Sequence, residues 1–199
     1  MLENKNPDGN RFPVLTLLLV LGSLLIFLLP SIANYLVYDR EYILAGEWWR
    51  VLTAVGVHFS WSHLVYNIVI LLLAGWLLER ESRSHFVWLV LITSVLSSLY
   101  FLFYLPEMKN YAGLSGIISA IAVFVCLMNI RKVPKTKWLW ITILTIFIAK
   151  VIYEGVMQEA FYVSYASEQI HVVPSAHIIG AMVAIVMVSW SFLKEKYQH

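Results

Sequence analysis

Two short stretches of this chain carry residue types that could perform acyl transfer. Gly113-Leu114-Ser115-Gly116 sets a serine among glycines at the head of a hydrophobic run, and Ala176-His177-Ile178-Ile179-Gly180 sets a histidine early in another. A serine hydroxyl is a weak nucleophile at neutral pH. It needs a base within about 2.6–3.2 Å, and an imidazole suits that pH. Gly113 and Gly116 permit close backbone approach, and a helix starting at Ser115 leaves N–H groups free to donate to an oxyanion. His63 and Asn67, one helical turn apart and so on one face, offer two further donors. The sequence places no Asp or Glu to orient His177. The expectation is therefore a Ser115–His177 dyad, with Ser115 N–H, His63 and Asn67 stabilising the transition state.

The elements that must hold these groups are membrane spans. Of 199 residues, 60% are hydrophobic and 13% charged, a balance that would leave a soluble domain with too much exposed apolar surface. The apolar residues fall in long runs over about 12–37, 63–78, 85–105, 114–130, 138–157 and 173–193, each near the ~20 residues that cross hydrocarbon as a helix. The expected fold is an all-α membrane protein, a six-transmembrane-helix bundle in a single membrane domain over residues 1–199. The first run follows Lys5 and Arg11 as a signal peptide would, but its length favours a retained helix. Cys126 stands alone inside a run, which excludes an intramolecular disulfide and a C-x-x-C metal pair.

The net charge of +2 comes from basic residues in short loops. It reads as topology and a bilayer partner, with no nucleic acid. With the N-terminus in the cytoplasm and six crossings, Lys5, Arg11, Arg80, Arg83, Arg131, Lys132, Lys135, Lys137, Lys194 and Lys196 lie inside. Only Arg40, Arg50 and Lys109 lie outside, and Lys150 falls within the fifth span. This positive-inside bias implies that both termini are cytoplasmic. The even-numbered spans then enter from the outer face. His63, Asn67, Ser115 and His177 sit in their first turn or two, and so share the outer third of the bilayer. In the sixth span Ala176, Gly180 and Ala184 repeat every four residues, and Gly116 and Ala120 offer a matching surface on the fourth. Small residues at that spacing let helices touch closely, which would carry His177 toward Ser115.

The other polar residues have structural readings beside functional ones. Trp48, Trp49 and Arg50 suit an outer loop in the headgroup layer, anchored by its aromatics and pinned by Arg50. Lys150 and Glu154 are spaced for a helical ion pair near the outer interface, or for contact with substrate or with a moving loop over 158–172. His58 reads as a loop or structural histidine, and His85 and His171 as exposed.

These motifs resemble the rhomboid family. The chain has its G-x-S-G at Gly113–Gly116, its A-H-x-x-G at Ala176–Gly180, its early second-helix histidines and asparagine at His58, His63 and Asn67, and its Trp-Arg pair at Trp49-Arg50. The resemblance runs from about Gly46 to Ala184 with the motifs in order. It implies an intramembrane serine protease that cleaves single-span membrane proteins near the outer surface through Ser115 and His177, without metal or organic cofactor, in a bacterial inner membrane. One position departs. Many rhomboids carry an aromatic four residues after the serine, packed on the histidine, and here Ser119 stands there. The six-span form, Gly46-Glu47-Trp48-Trp49-Arg50 and Lys150-Val151-Ile152-Tyr153-Glu154 also look like rhombosortases, which process proteins with a C-terminal glycine-rich sorting tail.

Rival functions fit less well. A catalytically silent rhomboid-like binding protein would typically lack the serine or the histidine. A metal or proton transporter would need ligands in one cluster, yet His58 and His63 are five apart and on different faces, and no inverted repeat is visible. A membrane acyltransferase lacks a supporting His-Asp pair.

Overall fold

In hydrocarbon a backbone must satisfy its own N–H and C=O groups, so the apolar runs become helices. The computed structural model describes residues 11–157 and 173–197. In chain order its elements are α1 (Val14–Leu28), α2 (Pro30–Leu36), β1 (Tyr38–Asp39), α3 (Arg40–Leu44), α4 (Arg50–Thr53), α5 (Trp61–Ile70), α6 (Trp76–Glu81), α7 (Arg83–Tyr104), β2 (Asn110–Tyr111), α8 (Ser115–Lys132), α9 (Lys137–Met157) and α10 (Pro174–Tyr197). A π-helical turn, Leu71–Gly75, joins α5 and α6 into one span, Trp61–Glu81. The loop over 158–172, with His171, lies outside the described residues.

The all-α bundle expected from the sequence is observed. Five described helices are long and apolar enough to cross a membrane, or six if α1 and α2 form one broken span. The first run corrects the expectation of a continuous helix over 12–37: it bends by 114° at Leu29–Pro30. Proline has no N–H to bond back and pushes the preceding residue out of the helical region. Leu29 accordingly adopts φ −124°, ψ 82°, and Pro30 opens α2. The second span begins earlier than the apolar run, because Ser60 Oγ caps it by accepting from His63 N–H at 3.2 Å.

Helix α8 is the centre of the bundle, with 61% of its apolar window buried, whereas α9 buries only 6% and lies at the periphery. Ile117, Ile121 and Phe124 of α8 pack with Leu71, Phe86, Leu89 and Val183 in the main core. The charged helix ends gather at one end of the bundle. There the Arg131 guanidinium lies 3.7 Å from the Phe192 ring centre and Lys132 pairs with Glu81 at 2.9 Å.

The same end carries a feature the sequence did not disclose. Helix α1 has no side-chain cap of its own. The fully buried Glu79 carboxylate of α6 accepts from Leu15 N–H (2.9 Å), Thr16 N–H (2.7 Å) and Thr16 Oγ1 (2.9 Å), and Arg83 lies 3.3 Å away. A carboxylate at a helix N-terminus satisfies orphan donors and complements the dipole. Glu79→Ala would strand those buried donors, so a loss of about 1–3 kcal/mol is expected. Thermal unfolding in detergent measures it, and an unchanged midpoint would contradict this role.

Candidate active site

Ser115 is the first residue of α8, and the chain entering it is pinned on two sides. Tyr38 and Asp39 pair antiparallel with Tyr111 and Asn110, which ties the first long loop to the turn before the serine. Gly113 N–H then donates to Ala54 O at 3.1 Å. Gly113 has φ +114°, a conformation that side chains disfavour. A Cβ there would also stand 2.8 Å from His63 Nε2 and 3.6 Å from Asn67 Nδ2. Both side chains therefore converge on the turn that delivers Ser115. Ser115 is partly exposed, and the buried Tyr111 hydroxyl shares a hydrogen bond with its side chain. Burial pushes the Tyr111 phenol up to about 12, against the opposing pull of that bond.

His177 reaches this region through a close helix crossing. A Cβ on Gly180 would overlap the Gly116 carbonyl oxygen, and one on Gly116 would lie 3.1 Å from Ala176 O. The His177 ring, 5% exposed, has its Nδ1 2.9 Å from Ser119 Oγ, which in turn donates to Ser115 O at 2.7 Å. A hydroxyl thus holds the ring edge at the position that departs from the family pattern. The other edge meets α9: Nε2 is 3.3 Å from Glu154 Oε2 and 3.5 Å from Lys150 Nζ, and those two pair at 2.7 Å. No hydrogen bond joins Ser115 Oγ to His177 among the described residues, so the two are neighbours through Ser119 rather than directly bonded.

A model of the Rhomboid domain matches residues 45–194, about three-quarters of the chain and the whole of this site. The chain belongs to the rhomboid family. No curated protein matches it in direct comparison. Rhomboids are integral, multi-pass intramembrane proteins of the serine protease type that act on membrane-protein substrates within the bilayer, and some members are inactive.

In this rhomboid, His58 sits buried in the loop before α5 and supports the site, in keeping with its reading as a loop or structural histidine. Its Nδ1 donates to Gly56 O (3.3 Å), so Nε2 accepts from Asn67 Nδ2 (3.0 Å) and fixes the amide. Burial, then repulsion from the neighbouring His63, lowers His58 to about 3, so it stays neutral as an acceptor. The sequence signal was its nine-residue distance from Asn67 across a capped helix start, too indirect to read alone. His85 is half-buried rather than exposed, lying 2.8 Å from Ser82 Oγ and 3.1 Å from Ser191 Oγ at the far end of the bundle.

Arg50 and Trp49 make their contacts with the first loop and α2. Arg50 is 3% exposed. It donates to Asn34 O (2.9 Å) and Val37 O (2.8 Å), pairs with Glu47 (2.7 Å) and lies over the Tyr42 ring, which fastens the first loop to α2. Trp49 Nε1 donates to Tyr35 O at 3.2 Å. No three His, Cys, Asp or Glu side chains converge as a metal site among the described residues.

Proposed function

We propose that this rhomboid is an active intramembrane serine endopeptidase with Ser115 as nucleophile and His177 as base. One observation carries the reading: the His63 and Asn67 side chains converge on the Gly113 turn that opens the serine's helix, and a glycine-tight crossing brings His177 to Ser119, one turn along that helix. Ser115 Oγ leaves Tyr111, gives its proton to the imidazole and attacks the scissile carbonyl. Ser115 N–H, His63 and Asn67 donate to the oxyanion. The imidazolium then protonates the leaving amine, and water completes the second half-reaction.

The charged helix ends at the opposite pole of the bundle support a cytoplasmic location for both termini and an outward-facing site. A cavity of about 690 Å³ between the second span and α9, lined by Tyr66, Ile70, Ala122, Phe147 and Lys150, borders the same residues as a small cavity at Ser119 and His177. This supports lateral entry of a single-span substrate from the lipid. The rhombosortase-like stretches at 46–50 and 150–154 favour a substrate with a C-terminal glycine-rich tail.

The test is the purified protein in liposomes with two tagged single-span substrates, one with glycines before its span and one without. A fluorophosphonate probe reports on the serine. Cleavage of the glycine-bearing substrate, insensitivity to chelator and probe labelling at Ser115 are expected. Neither cleavage nor labelling would point to a silent rhomboid, and equal cleavage of both substrates would remove the sorting-tail specificity.

A further inference from the structure

Glu154 has no place in a two-residue mechanism, yet its carboxylate is 3% exposed and lies 3.3 Å from His177 Nε2. An ionisable group inside a span is costly unless something there requires it. Lys150 Nζ neutralises it at 2.7 Å, so burial alone is accounted for. The contact of both groups with the imidazole is not.

The hydrogen-bond inventory around the ring gives the pair a task. Ser119 Oγ lies 2.7 Å from Ser115 O and 2.9 Å from Nδ1, with one proton for the two. In the neutral tautomer with its hydrogen on Nδ1, Nε2 is a lone pair to which Lys150 Nζ, at 3.5 Å, can donate. In the other neutral tautomer Nε2–H can donate to Glu154 Oε2, which leaves Nδ1 free on the α8 side. In the protonated ring Nε2 carries a hydrogen, and Glu154 Oε2 is there to accept it. Lys150 and Glu154 thus offer a partner for each protonation state, and the carboxylate sits where positive charge appears.

We propose that Glu154, with Lys150, is a positioning residue of the reaction: it holds the His177 ring and offsets the imidazolium charge that forms as Ser115 loses its proton. The inference rests on the Ser115–His177 reading. In the step concerned, the Ser115 Oγ–H bond breaks, its proton goes to the ring nitrogen that carries none and Oγ bonds the scissile carbon. When the tetrahedral intermediate collapses, that proton passes from the imidazolium to the departing nitrogen. Glu154 gains and loses no proton. Its role is orientation and charge, as for a carboxylate that holds a catalytic imidazole.

Kinetics with the tagged substrate in liposomes test this, using Glu154→Gln, Glu154→Asp and the paired variant Lys150→Gln/Glu154→Gln. The paired variant leaves no buried charge alone, so it serves even if Glu154→Gln fails to fold. Both Gln variants are expected to lower kcat about 10- to 100-fold with KM within about twofold, and Glu154→Asp to recover part of kcat. A folded paired variant with wild-type kcat, or a change confined to KM, would overturn the inference. Ser115→Ala in the same assay separates the two readings. If it cleaves normally, both fall; if it is inactive while the paired variant is fully active, only the role of Glu154 falls.

Discussion

Ser115→Ala and His177→Ala should each abolish cleavage of a membrane-anchored substrate, by at least about 10³-fold, while the protein still folds and inserts. Neither side chain supports the fold to a comparable degree. Among the described residues the Ser115 side chain bonds the Tyr111 hydroxyl, and α8 begins there through the Gly113 turn and the Gly113 N–H to Ala54 O bond, which an alanine leaves intact. His177 bonds Ser119 and the Lys150–Glu154 pair, but the crossing of α8 and α10 is made by Gly116, Ala176 and Gly180. The two losses should also fail to add: with either partner gone the other has nothing to activate or to accept from, so the double variant is expected to be no slower than each single one. Undiminished turnover by Ser115→Ala would end the protease reading, whatever the rest of the site looks like.

The bundle was legible because bilayer crossing imposes a length, and runs near 63–78, 85–105, 114–130, 138–157 and 173–193 meet it. Each corresponds to an observed helix, offset by a few residues where caps such as Ser60 and Ser82 start the turn. Hydropathy does not register backbone chemistry, so Pro30 leaves no mark on the apolar run over 12–37, which nevertheless bends by 114° there. Two-residue strands such as Tyr38–Asp39 and Asn110–Tyr111 carry no periodicity to detect, although they fasten the turn before Ser115. The candidate site was legible where motif and helix spacing coincide, as for Ser115, His177, His63 and Asn67. Its surroundings were not. Lys150 and Glu154 satisfy the spacing rule for an ion pair along one helix, which made a partner on another helix easy to overlook. The signal was available in principle, since two charges within a span ask for a reason to be there beyond their own pairing. Glu79 posed the same question and has its own answer in the cap of α1.

The helix crossing itself supplies the second large effect. Gly180 faces the Gly116 carbonyl so closely that any Cβ would overlap it, and the next nearest atoms, Ala120 N at 3.1 Å and Gly116 C at 3.2 Å, are also backbone. No flexible side chain can yield, so Gly180→Ala must push α10 away from α8. Overpacking of this kind costs about 1–3 kcal/mol. The cost to function is expected to be larger. Ser115 and His177 are carried by these two helices, and a misplacement of about 1 Å between reacting groups can cost about 10²-fold in rate. Gly180→Ala is therefore expected to lose about 10²-fold in kcat with a modest fall in unfolding temperature, and Gly180→Leu to lose activity altogether. Gly22 in α1 gives the control: nothing lies within 4 Å of a Cβ there, so Gly22→Ala should leave both rate and stability close to wild type. Wild-type cleavage by Gly180→Ala would mean that α8 and α10 are not in contact at Gly116, and the route by which the imidazole reaches the serine would have to be different.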